Sequence, residues 1–195
     1  RGCYEVDKLK GVFNRRWKEP LPYLLSLLIY TTGMRDIEIK RMRKEDIALI
    51  NGCRFIRVKQ SKTENGIRLA PLHDFTYKKL AAWAAKSGTE QLMFSFRGNA
   101  PFTHANTCLG QMLGASEAEL EAENITFYSG RHFWKTLMSS EGLGEEIEEV
   151  FMGHKVSSNV AKLYNHRDKY GKKHMAKKAR QVFSVLDRCI FTTKP

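Results

Sequence analysis

The sequence is short of cysteine, and its few cysteines are far apart. Cys3, Cys53, Cys108 and Cys189 are the four in 195 residues, and none of them forms a CxxC pair. A chain of this length with 42% apolar residues can bury a core without disulfide bonds. We therefore expect reduced thiols, no redox motif and no zinc site.

Long apolar runs are also missing. The most apolar stretch, residues 21–30, is about half as long as a membrane-spanning helix and contains Pro22. No signal peptide is evident, and the sequence starts at Arg1 without a methionine. We expect a cytoplasmic protein with no membrane contact, preceded by a further N-terminal part.

Acidic residues are fewer than basic residues in this sequence. The chain has 21 Asp and Glu against 33 Lys and Arg, which gives a net charge of +12. Such an excess favours a polyanionic partner, nucleic acid ahead of a membrane surface. A basic soluble protein without such a partner is the alternative that charge by itself leaves open.

The middle of the chain predicts a small antiparallel sheet. Residues 47–50 and 53–58 are rich in β-forming side chains and flank Asn51-Gly52, a dipeptide typical of a tight hairpin turn. After the polar and basic residues 59–66, a third run at 67–70 ends at Pro71. We predict three antiparallel strands.

The rest of the chain is predicted to be helical. Residues 4–33 form a helical region broken near Pro20 and Pro22, and Asp36 caps a short helix that ends at Arg43. Further helices are predicted over 73–86, 104–114, 126–140, 145–152, 157–164 and 172–190, and the acidic residues 117–123 show no clear pattern.

The last of these helices carries an apolar stripe at i, i+3 and i+4 spacing. The stripe consists of Ala179, Val182, Phe183, Leu186 and Ile190. The fold class is therefore α+β, mostly α-helical with a small three-stranded antiparallel sheet.

Polar residues that can carry chemistry lie at four separated places. Each has a structural explanation when taken singly, such as a surface arginine or a partly packed tyrosine. The places are Arg35 in the box at 32–35, Lys62 in the long turn, Arg131 and His132 in the box at 128–132, and His154 with Tyr164.

The order and spacing of these residues resemble the catalytic domain of tyrosine recombinases, the phage integrase family. The resemblance spans about residues 4–190. The family's T-G-L/M-R box matches 32–35, its turn lysine matches Lys62, and its H-x-L-R-H box matches 128–132 in part. A Gly-His pair ends at His154, and the nucleophile box, tyrosine-x-histidine, begins at Tyr164.

Three positions depart from the family pattern. Tyr128 stands where the family has histidine, Gly130 stands where it has leucine, and His154 and Tyr164 are ten residues apart, about one more than usual. A tyrosine with a pKa near 10 is a poor base at neutral pH. We therefore assign Tyr128 to positioning of the phosphate.

The resemblance implies a phosphoryl-transfer chemistry for the matching residues. Tyr164 attacks a DNA phosphodiester and forms a 3′-phosphotyrosyl link. Arg35 and Arg131 bind the non-bridging oxygens, and His154 donates a further hydrogen bond. Lys62 protonates the leaving 5′-oxygen. No metal, ATP or other cofactor is expected.

The resemblance also implies supporting residues. Glu38 and Asp46 match acidic positions of the family and are expected to have structural roles, and His132 is expected to brace the pocket. The basic Lys59 and Arg68 are assigned to DNA binding, and Lys59 is the alternative general acid.

The family organisation implies a catalytic domain over residues 1–195, preceded by a helical domain that clamps DNA. The partner is double-stranded DNA, with a homo-tetramer on DNA, a monomer without it, accessory DNA-bending proteins and, in a bacterium, association with the nucleoid. The helix at about 172–190 is expected to be exchanged between subunits. Packing on its own domain is the alternative.

The sequence therefore predicts a site-specific recombinase, the integrase of a mobile element. Two alternatives share features with it. A type IB topoisomerase or telomere resolvase has the same pocket, and a non-catalytic DNA-binding module could carry a decayed one.

Overall fold

The computed structural model describes residues 2–59, 67–86, 93–143, 147, 150–153 and 169–191. The predictions for Lys62, His154, Tyr164 and the helix at 157–164 lie outside the described residues. In the described part of the chain, no helix is long and apolar enough to cross a membrane. All four cysteines are free thiols.

The predicted sheet is present. Strands β1 (Ile47–Ile50), β2 (Cys53–Val58) and β3 (Arg68–Leu72) pair antiparallel in that order. Asn51 and Gly52 have φ of 47° and 77°, the left-handed pair of a tight hairpin turn. β3 runs through Pro71, which is tolerated because β3 is an edge strand.

The prolines near residue 20 begin a helix and do not break one. Helix α1 (Val6–Leu9) is short and is followed by a 3₁₀ turn, and α2 spans Pro20–Thr32. Proline is favoured in the first helical turn, where the backbone N–H has no helical partner. Nearly every residue of α2 is buried, so this helix forms the centre of the core.

Helix α3 (Asp36–Lys40) is shorter than predicted, and its N-cap is Arg35, not Asp36. The side chain of Glu38 closes the first turn by accepting from the Arg35 backbone N–H at 2.8 Å. A 3₁₀ turn, Lys44–Asp46, then leads into β1.

Within the described residues 67–143, the sheet is followed by α4 (Asp74–Lys86), α5 (Ala100–Met112), α6 (Glu117–Ala122) and α7 (Ser129–Ser140). α5 begins four residues earlier than predicted because Pro101 fits its first turn. The acidic stretch forms α6, which Ser116 caps by accepting from the Glu119 backbone N–H at 3.3 Å.

Helix α8 (Lys169–Cys189) packs on the sheet of its own chain. Its Arg180 donates to the Asn51 carbonyl at 2.7 Å, and Cys53 Sγ lies 3.5 Å from the Ala176 carbonyl. Four of the five stripe residues are fully buried, and Phe183 is half-buried. Burial of the stripe therefore needs no second subunit, and exchange of this segment stays a prediction.

Candidate active site

A sharp turn at the end of α2 presents the first arginine. Gly33 has a φ of 63°, in the left-handed region that ends helices. The Met34 N–H donates to Thr32 Oγ1 at 3.3 Å, which closes the turn. A Cβ on Gly33 would also lie 3.0 Å from the Trp134 ring. The turn therefore needs glycine, and it places Arg35 at the start of α3.

Glu38 links Arg35 to Arg68. Its carboxylate accepts from Arg35 Nη1 at 2.8 Å and from both Arg68 terminal nitrogens at 2.8 Å. Burial by itself would raise the pKa of this carboxyl, but the Arg68 and Arg35 hydrogen bonds and the Arg68 charge outweigh it and lower the pKa. Glu38 is therefore an anion that fixes two arginines.

Arg68, which is assigned to DNA binding from the sequence, makes contacts inside the fold. Its side chain is only 4% exposed, and its Nε donates to the Phe151 carbonyl at 2.7 Å. Arg68 holds Glu38 and the backbone near residue 151 together. Its contact with DNA stays a prediction.

Arg131, the second predicted catalytic arginine, is buried on α7. Its Nη1 donates to the Gly33 carbonyl, and its Nη2 donates to the Met152 carbonyl at 2.7 Å. These bonds join α7 to the turn that carries Arg35 and to the residues that precede His154. The two predicted arginines therefore meet at one end of α2.

The arginine cluster, which consists of Arg35, Arg68 and Arg131 with Glu38, concentrates positive charge. Burial, then the charges of Arg35 and Arg68, lowers the pKa of the Arg131 guanidinium to about 10. Arg131 stays protonated at neutral pH. An anion bound beside it would relieve the repulsion among the arginines.

The unusual Gly130 has a packing reason. A Cβ at this position would lie 2.7 Å from Ile29 Cγ2 and 2.7 Å from the Tyr30 ring. The side chains of Ile29 and Tyr30 on α2 therefore leave no room for a larger residue at position 130.

Tyr128 lies at the N-cap of α7, half-buried, one turn before Arg131. Its ring meets the ring of His132 edge to face, with centroids 5.2 Å apart. His132 is exposed, and its ring supports Tyr128. Its predicted role in bracing the pocket stays a prediction.

Lys59 and Asp46 form a pair at the end of β2. Lys59 Nζ lies 2.6 Å from Asp46 Oδ1 and 3.2 Å from Glu45 Oε1. The hydrogen bonds to Asp46 and Glu45 raise the pKa of the exposed Lys59. Asp46 also accepts from the Arg43 N–H at 2.8 Å, which gives it a structural role before β1.

A second polar cluster was not predicted from the sequence. Glu19, His104 and Cys108 bring a carboxylate oxygen, a ring nitrogen and a sulfur within 4.8 Å of one another. The available signal was the i, i+4 spacing of His104 and Cys108, which places both on one face of a helix. Glu19 is 85 positions from His104, and no sequence pattern indicates that the two residues meet.

The residues 7–170 match the family model of the phage integrase family. No curated relative matches the chain significantly. Among solved structures, one similar chain is the XerH site-specific recombinase in a pre-cleavage complex with difH substrate, at TM-score 0.62 and 20% identity over 83% of this chain and 48% of that one.

Two further solved structures have the same fold. XerA recombinase matches at TM-score 0.60 and 16% identity, over 92% of this chain and 65% of that one. The Tn1549 transposon integrase in complex with transposon right end DNA matches at TM-score 0.55 and 14% identity, over 90% of this chain and 62% of that one. This chain spans about half to two thirds of the length of these proteins.

The family match covers most of the chain, and its T-G-M-R box lies in the turn that meets Arg131. The fold is that of the tyrosine recombinase catalytic domains. The chain belongs to the phage integrase family.

Proposed function

We propose that this chain is the catalytic domain of a tyrosine site-specific recombinase, the integrase of a mobile element. It cleaves and rejoins double-stranded DNA through a 3′-phosphotyrosyl intermediate. The observation that carries the proposal is the arginine cluster, in which Arg131 donates to the carbonyl of Gly33 in the turn before Arg35.

The scissile phosphate binds at this cluster. Arg35 is about a quarter exposed, so it can reach a ligand at the surface, whereas Arg131 lies deeper. Guanidinium groups present forked donors to phosphate oxygens and keep their charge at working pH. The arginines thus supply the positive charge that stabilises the transition state, and no metal ion or ATP is needed.

The covalent step transfers the phosphoryl group from DNA to tyrosine. The Tyr164 hydroxyl gives up its proton to solvent, and its oxygen forms a bond to phosphorus. The bond from phosphorus to the 5′-oxygen breaks, and that oxygen takes a proton from Lys62. His154 donates to a non-bridging oxygen, and Tyr128 orients the phosphate. Attack by a 5′-hydroxyl on the phosphotyrosine reverses the step and rejoins DNA.

The working assembly is larger than this chain. A helical domain that precedes these residues clamps the opposite side of the DNA, and four copies form the recombination complex with accessory DNA-bending proteins. Segment 172–190 is exchanged between neighbouring copies in that complex. Lys59 contacts DNA beside the sheet.

A nicked suicide substrate tests the proposal. Cleavage near the nick releases a short strand, so religation fails and the enzyme stays attached to DNA. The wild-type chain should form this adduct with EDTA present and no nucleotide. Tyr164→Phe should form none, because only the attacking oxygen is removed. Tyr170→Phe is the matched control and should react like the wild type.

The same experiment separates the alternatives. DNA binding without any adduct would overturn the proposal in favour of a non-catalytic DNA-binding module. An adduct that persists in Tyr164→Phe would assign the nucleophile to another residue. A topoisomerase would relax supercoiled DNA without a specific site, whereas the recombinase requires a defined site.

A further inference from the structure

Three side chains with metal-binding donors meet at the start of α2. Glu19 is the residue before Pro20, where α2 begins. His104 and Cys108 lie four residues apart on α5, so they face the same side of that helix. Cys108 is half-buried, and the side chains of Glu19 and His104 are 55% and 51% exposed.

The donor atoms converge on one point in space. His104 Nε2 lies 3.0 Å from each carboxylate oxygen of Glu19. Cys108 Sγ lies 3.7 Å from that same nitrogen and 3.9 Å from Glu19 Oε1. One nitrogen, one oxygen and one sulfur therefore form the three corners of a small triangle.

The size of this triangle fits a tetrahedral metal ion. With zinc bond lengths of about 2.0–2.3 Å, adjacent ligands lie about 3.3 Å apart for N and O and about 3.5 Å apart when one is sulfur. Each distance in the cluster is within about 0.4 Å of these values. Cys108 Sγ also lies 3.9 Å from His104 Nδ1, so the imidazole has to turn before Nε2 and Sγ can bind the same ion.

The charges also balance. A thiolate and a carboxylate together carry two negative charges, which one divalent cation neutralises while histidine binds as a neutral ring. A donor set of sulfur, imidazole and carboxylate selects zinc-type ions over magnesium or calcium, which prefer oxygen ligands. Hydrogen bonds already join the three side chains, because His104 Nε2 pairs with Glu19 and the Cys108 thiol donates to Glu19 Oε1 at 3.9 Å. A divalent ion would replace these contacts with three metal–ligand bonds.

We propose that a zinc-type divalent ion binds to Glu19, His104 Nε2 and Cys108 Sγ, with its fourth position open to solvent. Binding forms the metal–sulfur bond and releases the thiol proton of Cys108 to solvent. The ion ties the segment before α2 to α5. One contact already joins these parts, because Arg15 Nη1 donates to the Met112 carbonyl at 3.3 Å. Within α2, Ser26 Oγ donates to the Ala105 carbonyl of α5 at 3.3 Å.

Cobalt titration of the purified, reduced chain without DNA tests this site. Co²⁺ takes the place of Zn²⁺, and a bound thiolate gives a charge-transfer absorption. The wild type should show this band at one equivalent, and Zn²⁺ should displace it and raise the melting temperature. Cys108→Ser should lose the band, and His104→Ala should weaken Co²⁺ binding at least about tenfold.

Cys3→Ser is the matched control, because Cys3 is an exposed free thiol outside the cluster. It should titrate like the wild type. A Cys108→Ser variant that keeps the band, or a wild type that shows no band, would overturn the proposal and leave a surface hydrogen bond with a neighbouring thiol. Far-UV circular dichroism checks that each variant is folded. DNA cleavage plays no part in this test, so its result is independent of the function proposed above.

Discussion

The two ends of α2 carry polar clusters of opposite character. At one end, Arg35 and Arg131 lie with Glu38 in a mostly buried, positively charged site. At the other end, Glu19 lies beside His104 and Cys108 in an exposed cluster of metal-binding donors. The 13 residues of the helix separate the clusters by about 20 Å.

Burial explains why the two ends are built differently. A buried charge must be paired and hydrogen-bonded, so the arginine cluster is held by Glu38 and by the carbonyls of Gly33, Phe151 and Met152. The side chains of Glu19, His104 and Cys108 can bind water as well as one another, so their mutual distances are less strictly fixed. The first site is fixed before any ligand arrives, whereas the second needs a cation to become rigid.

The largest effect should come from Glu38→Gln. Removing the carboxylate charge leaves Arg35 and Arg68 without their anion in a buried site, and breaking such a pair costs about 3–5 kcal/mol. Urea unfolding measures this loss. Glu19→Gln is the same change at the other end of α2. In metal-free buffer it should change the free energy of unfolding by no more than about 0.5 kcal/mol. Equal losses at the two ends would contradict the comparison.

Arg131→Ala should reduce single-turnover cleavage of a suicide substrate by at least about a hundredfold. Arg131→Lys should recover little of this loss, because an ammonium lacks the fork that reaches both Gly33 and Met152 carbonyls. Lys135→Ala removes an exposed charge from the same helix and should affect DNA affinity alone. Full recovery with lysine would reduce the role of Arg131 to that of a point charge.

Gly130→Ala should destabilise the chain by about 1–3 kcal/mol, because the new methyl group collides with Ile29 and the ring of Tyr30. Gly110→Ala is the matched control in α5. A Cβ there lies 2.7 Å from Leu120 Cδ1, the end of a flexible side chain that can move. Thermal melts compare the two variants. A larger loss at Gly110 would disprove the packing reason for Gly130.

Acid should weaken the arginine cluster gradually. The pKa of Glu38 is lowered in the folded chain, so its stabilisation is complete above the ordinary carboxyl pKa of about 4.3 and is lost as pH falls through the folded value. The stability difference between wild type and Glu38→Gln should therefore shrink below about pH 4. Urea unfolding at several pH values measures it. If the stability difference between wild type and Glu38→Gln grows as the pH falls, the prediction is wrong.

The hairpin and the T-G-M-R turn were predictable because their signals are local. Asn51-Gly52 sets a tight turn by backbone preference, and Gly33 ends α2 for the same reason. Tertiary contacts were not predictable in this way. Arg68 is assigned to DNA binding from the sequence, and only the fold shows it buried against Glu38.

Proline and distant contacts account for the remaining differences. A break near Pro20 and a helix start at residue 104 are predicted from the sequence, whereas Pro20 and Pro101 lie in the first turns of α2 and α5, where proline is favoured. The cluster of Glu19 with His104 joins residues 85 positions apart, which no sequence pattern indicates.

The central claim is that Arg131 stabilises negative charge on the scissile phosphate. A suicide substrate with a methylphosphonate at the cleavage site tests this claim directly. In that substrate a methyl group replaces one non-bridging oxygen, so the linkage carries no negative charge. Arg131→Ala should then lose far less activity, relative to the wild type, than it loses on ordinary DNA, in at least one diastereomer. An equal defect on both substrates would contradict the claim and leave Arg131 as a purely structural residue.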